Sequence, residues 1–205
     1  ARDFPDLNFI IYHSAYRGPG GLLGNWVSRG TGEKVVDKPS DDPQEIPWCS
    51  ELFRMLRKEP KVKNVYFELG STFHMLSASD PKKCLHLLGQ MMQVAGDDHI
   101  LWGTDSIWNG SPQGQIDRLR RLKMPEEMRE KYKYPDLTDA VKDRIFGLNA
   151  AKLFGVDPKA AWKAIKTDRL TSAREEYLKS PEPSNTQYGW VWVGEGPPTT
   201  PPGEA

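Results

Sequence analysis

The chain has 205 residues and a mass of 23.2 kDa, which is enough for one domain with a hydrophobic core. Basic and acidic residues number 28 each, and this balance argues against a nucleic-acid partner or an anionic membrane surface. No apolar run approaches the roughly 18–20 residues of a membrane helix. The two cysteines, Cys49 and Cys84, form neither a disulfide framework nor a zinc motif, so we predict that both are reduced packing residues. The sequence does not fix the cellular location, for which the cytoplasm is the expectation.

The chain opens almost directly into a strand pattern. Residues 7–12 form a near-continuous apolar run, which is typical of a strand buried on both faces. The first residue is Ala1 rather than methionine and no signal peptide is visible, which suggests that the true N-terminus lies elsewhere. From Arg17 to Pro47 the chain is rich in Gly, Pro, Asp and Ser. This stretch is long for a loop and predicts a functional lid or a partly disordered segment.

Helices and strands alternate over the next hundred residues. Apolar side chains at helical spacing predict helices over residues 47–57, 80–96, 113–122, 125–133 and 138–154. Asp80-Pro81 supplies an N-cap and a first-turn proline. Two further strands are predicted over residues 64–69 and 100–102. Such alternation predicts βαβ units and a parallel sheet.

Three strands are few for a parallel sheet, because apolar outer strands would leave hydrophobic edges exposed. An eight-stranded (β/α)8 TIM barrel needs roughly 200–250 residues. We therefore expect an α/β fold, the C-terminal portion of such a barrel from about strand 6 to strand 8. This partial barrel domain is predicted to span residues 1–156.

Residues 157–205 form a predicted C-terminal helix followed by a Pro/Gly-rich tail. The tail carries Tyr188, Trp190 and Trp192, and free aromatic side chains are unfavourable in a disordered segment. We expect this tail to pack on the body or on a neighbouring subunit, which would make the protein a homo-oligomer.

Two predicted strands end in side chains that can do chemistry. Asp105 follows the 100–102 strand and His13 follows the first strand. Catalytic residues of α/β proteins lie at the C-terminal ends of parallel strands. The alternatives are a capping role for Asp105 and a packing role for His13.

Four segments in this order resemble the amidohydrolase superfamily, specifically the amidohydrolase-2 group that includes aminocarboxymuconate semialdehyde decarboxylase. Residues 4–13, 64–69 and 100–105 resemble the sixth, seventh and eighth strands of that family, and residues 145–155 resemble its closing helix. The resemblance covers about residues 4–156. The family's His-x-His pair of the first strand and its fifth-strand histidine have no counterpart in this sequence.

The resemblance implies a metal-dependent enzyme in which this chain carries the later part of the site. Asp105 is then a ligand of a divalent metal, with zinc expected, and handles the proton of the metal-activated water. His13 positions or deprotonates that water or stabilises the developing oxyanion. The implied reaction is hydrolysis of an amide, ester or lactone, or a non-oxidative decarboxylation. Because this chain lacks the earlier ligands, an inactive isolated chain is expected.

Other residues near these strand ends are candidates for binding a small-molecule substrate. Arg17 offers a bidentate fork for a carboxylate, while His74 and Trp108 follow the second and third strands. Ordinary loop or packing roles are the alternatives for all three. Glu68 lies in an otherwise apolar strand and needs a partner, so a barrel-interior or supporting role is one hypothesis for it beside an ordinary structural role.

The other histidines and the absence of nucleotide-binding motifs limit which functions the sequence supports. His86 falls on a predicted helix and His99 at the start of a strand, both away from the C-terminal strand ends, and both are predicted to be structural. No glycine-rich nucleotide motif follows a strand, so a nucleotide cofactor is unsupported. The alternative from another class is a non-catalytic half-barrel, which would serve as a scaffold or interaction module through its sheet edges and aromatic tail.

Overall fold

The structure of the protein is a computed structural model, which describes residues 1–16, 40–165 and 169–180. The described part is a mixed α/β fold, mostly helical, with one small parallel sheet. Most of the predicted lid and the aromatic tail lie outside the described residues. No described helix has the length and apolar character needed to cross a membrane.

The sheet has three parallel strands, as predicted, and the structure arranges them in the order β1-β2-β3. They are β1 (Phe9–Ile11), β2 (Val65–Glu68) and β3 (Ile100–Leu101). Phe67 pairs with Ile11 on one side and with Ile100 on the other, so the central strand joins the two outer ones. Because the strands are parallel, their C-terminal ends meet at one edge of the sheet.

The helices of the described residues are α1 (Cys49–Lys58), α2 (Gly70–Ser79), α3 (Pro81–Val94), α4 (Ser106–Asn109), α5 (Gln113–Arg121), α6 (Glu126–Tyr132), α7 (Asp139–Asp143), α8 (Asn149–Leu153), α9 (Pro158–Ala164) and α10 (Arg169–Lys179). A π-helical segment, Arg144–Leu148, joins α7 to α8, so the helix predicted over residues 138–154 is essentially continuous. The sequence does not predict α2 or α4. The helix predicted after residue 157 is present as two shorter helices.

Side chains cap the helices where the sequence places Asp and Thr. The Asp80 carboxylate accepts a hydrogen bond from the Lys83 backbone N–H at 2.9 Å, directly before Pro81. Thr138 caps α7 in the same way at 3.3 Å. Such caps satisfy donors that the first helical turn leaves unpaired and are worth about 0.5–2 kcal/mol each.

The hydrophobic core lies on one face of the sheet, beneath α1, α2 and α3. Phe67 of β2 is fully buried there and meets Phe53 of α1 edge-on, with 5.6 Å between the ring centroids. Cys49 and Cys84 are buried and unpaired, which confirms the prediction of reduced packing residues. The opposite face is less covered, since Ile10 is 38% exposed.

Two buried asparagines fasten the sheet to its surroundings. The Asn149 amide donates to the backbone carbonyls of Asp97 at 2.7 Å and Ile100 at 2.8 Å. The Asn64 amide donates to the carbonyls of Phe4 at 2.9 Å and Leu7 at 2.6 Å. Asn149 thus fastens helix α8 to the start of β3, and Asn64 fastens the residues before β1 to the start of β2.

The two histidines predicted to be structural lie away from the C-terminal edge of the sheet. His86 is buried in α3, with its Nδ1 atom 3.0 Å from the Tyr134 hydroxyl. His99 stacks on Tyr66 at 4.5 Å and contacts the Lys63 carbonyl at 2.9 Å. Both therefore have packing and hydrogen-bonding roles in the fold.

Candidate active site

The structure brings the two strand-end residues into direct contact. His13 follows β1 and Asp105 follows β3, and the Nε2 atom of His13 lies 2.7 Å from the Oδ2 atom of Asp105. Their side chains are 24% and 21% exposed, so solvent or a small molecule can reach the pair. A histidine and a carboxylate in hydrogen-bond contact can exchange a proton with each other or with a bound molecule.

Asp105 receives further hydrogen bonds from the start of α2. Its Oδ2 atom accepts from the Ser71 hydroxyl at 2.7 Å and from the Ser71 backbone N–H at 3.1 Å. The Asn109 amide in turn donates to the Ser71 hydroxyl oxygen at 3.0 Å. Partial burial raises the pKa of Asp105, but the Ser71 hydrogen bonds and the His13 imidazole outweigh it, so the pKa lies below its ordinary value. Asp105 is therefore held as a carboxylate.

The backbone at both strand ends is left-handed. His13, Ser14 and Ala15 have φ of 49°, 54° and 59° in succession, and Asp105 has φ of 47°. Residues other than glycine pay about 1–2 kcal/mol each for this conformation. Such strain persists only where the surroundings enforce it, and it is found preferentially at functional sites.

Neighbouring elements hold the turn that carries His13. The Thr72 hydroxyl donates to the His13 carbonyl at 2.7 Å, and the Ser14 hydroxyl donates to the Glu68 carbonyl at 2.8 Å. The Cys49 thiol donates to the Ser14 carbonyl at 3.2 Å. Burial raises the pKa of this thiol far above its ordinary range, so it remains a neutral donor.

The other predicted site residues lie outside this pair. His74, on α2, has its Nδ1 atom 3.4 Å from the Arg118 guanidinium of α5 rather than a contact with His13 or Asp105. Burial and the Arg118 charge lower the pKa of His74. Trp108 lies on α4, three residues after Asp105, and is 71% exposed. Arg17 lies outside the described residues.

Asp105 fits the role of one ligand of a metal ion, but the pair alone does not form a complete metal site. Oδ2 of Asp105 is taken by three donors, whereas Oδ1 has no hydrogen bond within the described residues and suits a hard cation. Catalytic zinc sites have about three protein ligands. Within residues 1–16, 40–165 and 169–180, no cluster of three or more His, Cys, Asp or Glu side chains could hold a metal. A site with three protein ligands would therefore need at least one from outside these ranges.

Ser71 contacts the candidate site through Asp105, and the sequence does not predict this. Gly70, Ser71 and Thr72 read as the end of a strand, whereas in the structure they open α2. One signal was available, because Ser71 follows the middle strand just as His13 and Asp105 follow the outer strands. A hydroxyl group that follows the central strand can reach the side chains that follow the two outer strands.

Comparison with known proteins assigns the chain to a family. The family model described as Amidohydrolase (Amidohydro_2) matches residues 1–156, which include all three strands, His13 and Asp105. No curated protein and no solved structure gives a significant match. Because the family match spans more than half of the chain, the protein belongs to the amidohydrolase-2 family.

Proposed function

We propose that the chain carries the C-terminal proton-transfer part of a metal-dependent amidohydrolase site. In this proposal β1, β2 and β3 are strands 6 to 8 of a (β/α)8 barrel. The reaction is hydrolysis of an amide, ester or lactone, with non-oxidative decarboxylation of an unsaturated or aromatic acid as the variant. The observation that carries the proposal is the 2.7 Å contact between His13 Nε2 and Asp105 Oδ2.

The charge state of Asp105 assigns the proton in this pair. Because Asp105 is held as a carboxylate, Nε2 of His13 is the donor, and a neutral imidazole then has its lone pair on Nδ1. Nδ1 has no hydrogen-bond partner within the described residues. It can accept the proton of an attacking water, while the Asp105 charge stabilises the imidazolium that forms.

A divalent metal, when bound, would lower the pKa of water and supply a nucleophile near neutral pH. Asp105, through its Oδ1 atom, is the residue of this chain proposed to hold it. Arg17, His74 and Trp108 remain the proposed substrate contacts. Of these, His74 is neutral near pH 7 because its pKa is lowered, so it would act as a hydrogen-bonding group and not as a cation.

The test compares the Asp105→Asn variant of the full-length protein with the wild type and with an Asp143→Asn control. Turnover is measured on a panel of amides, esters, lactones and aromatic acids, and bound metal by elemental analysis. We expect Asp105→Asn to abolish turnover and lower the metal content, while the control, on the distant helix α7, retains both. Undiminished turnover in Asp105→Asn would refute the assignment.

The scaffold alternative rests on a separate observation. In the described sheet β1 is an edge strand, and its residue Ile10 and the next residue after the strand, Tyr12, are 38% and 72% exposed. An open apolar edge strand is a surface on which another chain can pair. A scaffold would self-associate without metal, and its Asp105→Asn variant would match the wild type in every assay. Sedimentation of both proteins with and without a chelator separates the two functions.

A further inference from the structure

The Glu68 side chain lies where the ends of all three strands converge. Its Oε2 atom accepts a hydrogen bond from the His13 backbone N–H at 3.0 Å, and its Oε1 atom accepts one from the Gly70 backbone N–H at 2.7 Å. The carboxylate thus joins the residue after β1 to the residue that begins α2. Hydrogen bonds to an ionised acceptor are roughly twice as strong as those between neutral groups.

The end of the third strand leaves room for this carboxylate. A Cβ atom built on Gly103 would lie 1.5 Å from Glu68 Oε1, so only glycine permits the observed position of the side chain. On the other side, a Cβ built on Gly70 would lie 2.6 Å from Cδ2 of the His13 ring. Two glycines therefore accommodate the Glu68 carboxylate and the imidazole beside it.

Glu68 also contacts the first two residues of the left-handed turn, His13 and Ser14. Its side chain accepts from the His13 N–H, and its backbone carbonyl accepts from the Ser14 hydroxyl at 2.8 Å. His13 and Ser14 are the first two of three consecutive left-handed residues. A strained turn needs contacts of this kind to keep one conformation.

We propose that Glu68 is the positioning residue of His13, and that its carboxylate fixes the left-handed turn so that Nε2 reaches Asp105. Both carboxylate oxygens are engaged by backbone donors, so Glu68 acts through the backbone and not on a substrate. The consequence for catalysis rests on the proposed function. The positioning itself does not, because it concerns only the His13–Asp105 contact.

The test measures the His13 imidazole Nε2–H proton in 1H–15N NMR spectra of the full chain, assigned by its absence in His13→Gln. A hydrogen bond to Asp105 protects this proton from exchange with solvent. We expect Glu68→Gln, which loses the charge and one of the two acceptors, to broaden or lose the signal and to shift the His13 and Gly70 amides. The surface control Glu127→Gln should leave all three unchanged.

A second variant reaches the same contact without altering Glu68. Gly103→Ala expels the carboxylate from its position and should also remove the imidazole signal. Gly147→Ala is its control, because a Cβ there meets nothing within 4 Å. An intact imidazole signal in Glu68→Gln and Gly103→Ala would overturn the proposal. So would global unfolding of both variants, because the role assigned to Glu68 is local.

The activity readout separates this proposal from the proposed function. With a substrate that the wild type turns over, Glu68→Gln should lower kcat by about 10²-fold, the cost of a misplacement of about 1 Å, and leave KM unchanged. If the wild type turns over nothing on the panel, the proposed function fails, yet the imidazole signal still tests the positioning. If kcat and the signal of Glu68→Gln both match an active wild type, the positioning proposal alone fails.

Discussion

Replacing Ser71 by alanine removes the hydroxyl donor to the Asp105 carboxylate. The lost bond is 2.7 Å long, and the Asn109 amide loses its acceptor at the same time. A hydrogen bond to a charged group contributes about 1.5–3 kcal/mol. Because the Asp105 side chain is 21% exposed, water partly replaces the lost donor, and we expect the lower end of this range. The loss of about 1.5 kcal/mol corresponds to roughly 3–6 °C in Tm.

The pH dependence of this loss identifies its cause. The pKa of Asp105 is lowered in the fold, so its contribution to stability is present above the unfolded-state pKa, near 3.8, and is lost as pH falls through the folded-state pKa. Ser71→Ala raises the folded-state pKa towards the unfolded value. The stability difference between wild type and Ser71→Ala should therefore be largest near pH 7 and shrink as the carboxyl group protonates.

The assay is urea unfolding of both proteins from pH 7 to about pH 2, well below the unfolded-state pKa of an aspartate near 3.8, with Ser79→Ala as the control. Ser79 lies on the same helix, and its hydroxyl donates to the Met75 carbonyl at 2.7 Å in an exposed setting. The control should cost less than about 0.5 kcal/mol at every pH. A Ser71→Ala loss that does not vary with pH, or that equals the control, would refute the reasoning.

Three further predictions concern the fold around the site. Asn149→Ala should lower the free energy of unfolding by about 1–3 kcal/mol, because two carbonyls lose their donor; Asn149→Asp should cost more, and an equal cost would contradict this. Gly89→Ala should destabilise by about 1–3 kcal/mol, since a Cβ there lies 2.4 Å from the Tyr134 ring. Gly114→Ala should instead stabilise the protein by up to about 1 kcal/mol, because the nearest atom to a Cβ built there is 3.7 Å away. Thermal unfolding of the two variants would disprove the packing argument if both changed Tm in the same direction. Because the pKa of His74 is lowered below its ordinary 6.5, stability should fall as pH drops below that value, and His74→Gln should flatten the slope; an unaltered slope would rule this out.

The elements of the fold that the sequence predicts well are those with strong local patterns. All three strands are short apolar runs ended by Gly or polar residues, and the caps at Asp80 and Thr138 act through side chains that reach only three residues ahead. Helix α2 is missed because Gly70, Ser71 and Thr72 carry strand-ending chemistry. Tertiary contacts determine the start of this helix, because Ser71 and Thr72 are hydrogen-bonded to Asp105 and His13.

The candidate site is predictable in part, for a related reason. His13 and Asp105 stand out because each ends an apolar run, and parallel strands bring such ends together. The role of Glu68 depends on backbone donors from two other segments, which no local pattern reveals. His74 lies one helical turn from Ser71, and only the packing of α2 against α5 turns it towards Arg118.

The central claim is that His13 and Asp105 act as one unit, and a double-mutant cycle on turnover tests it most directly. The proteins are the wild type, His13→Gln, Asp105→Asn and the double variant, assayed on a substrate that the full-length wild type turns over. Residues that act as a unit show strongly non-additive losses. We predict that each single variant loses nearly all turnover and that the double variant loses little more. Losses that multiply, or a single variant with wild-type turnover, would contradict the account.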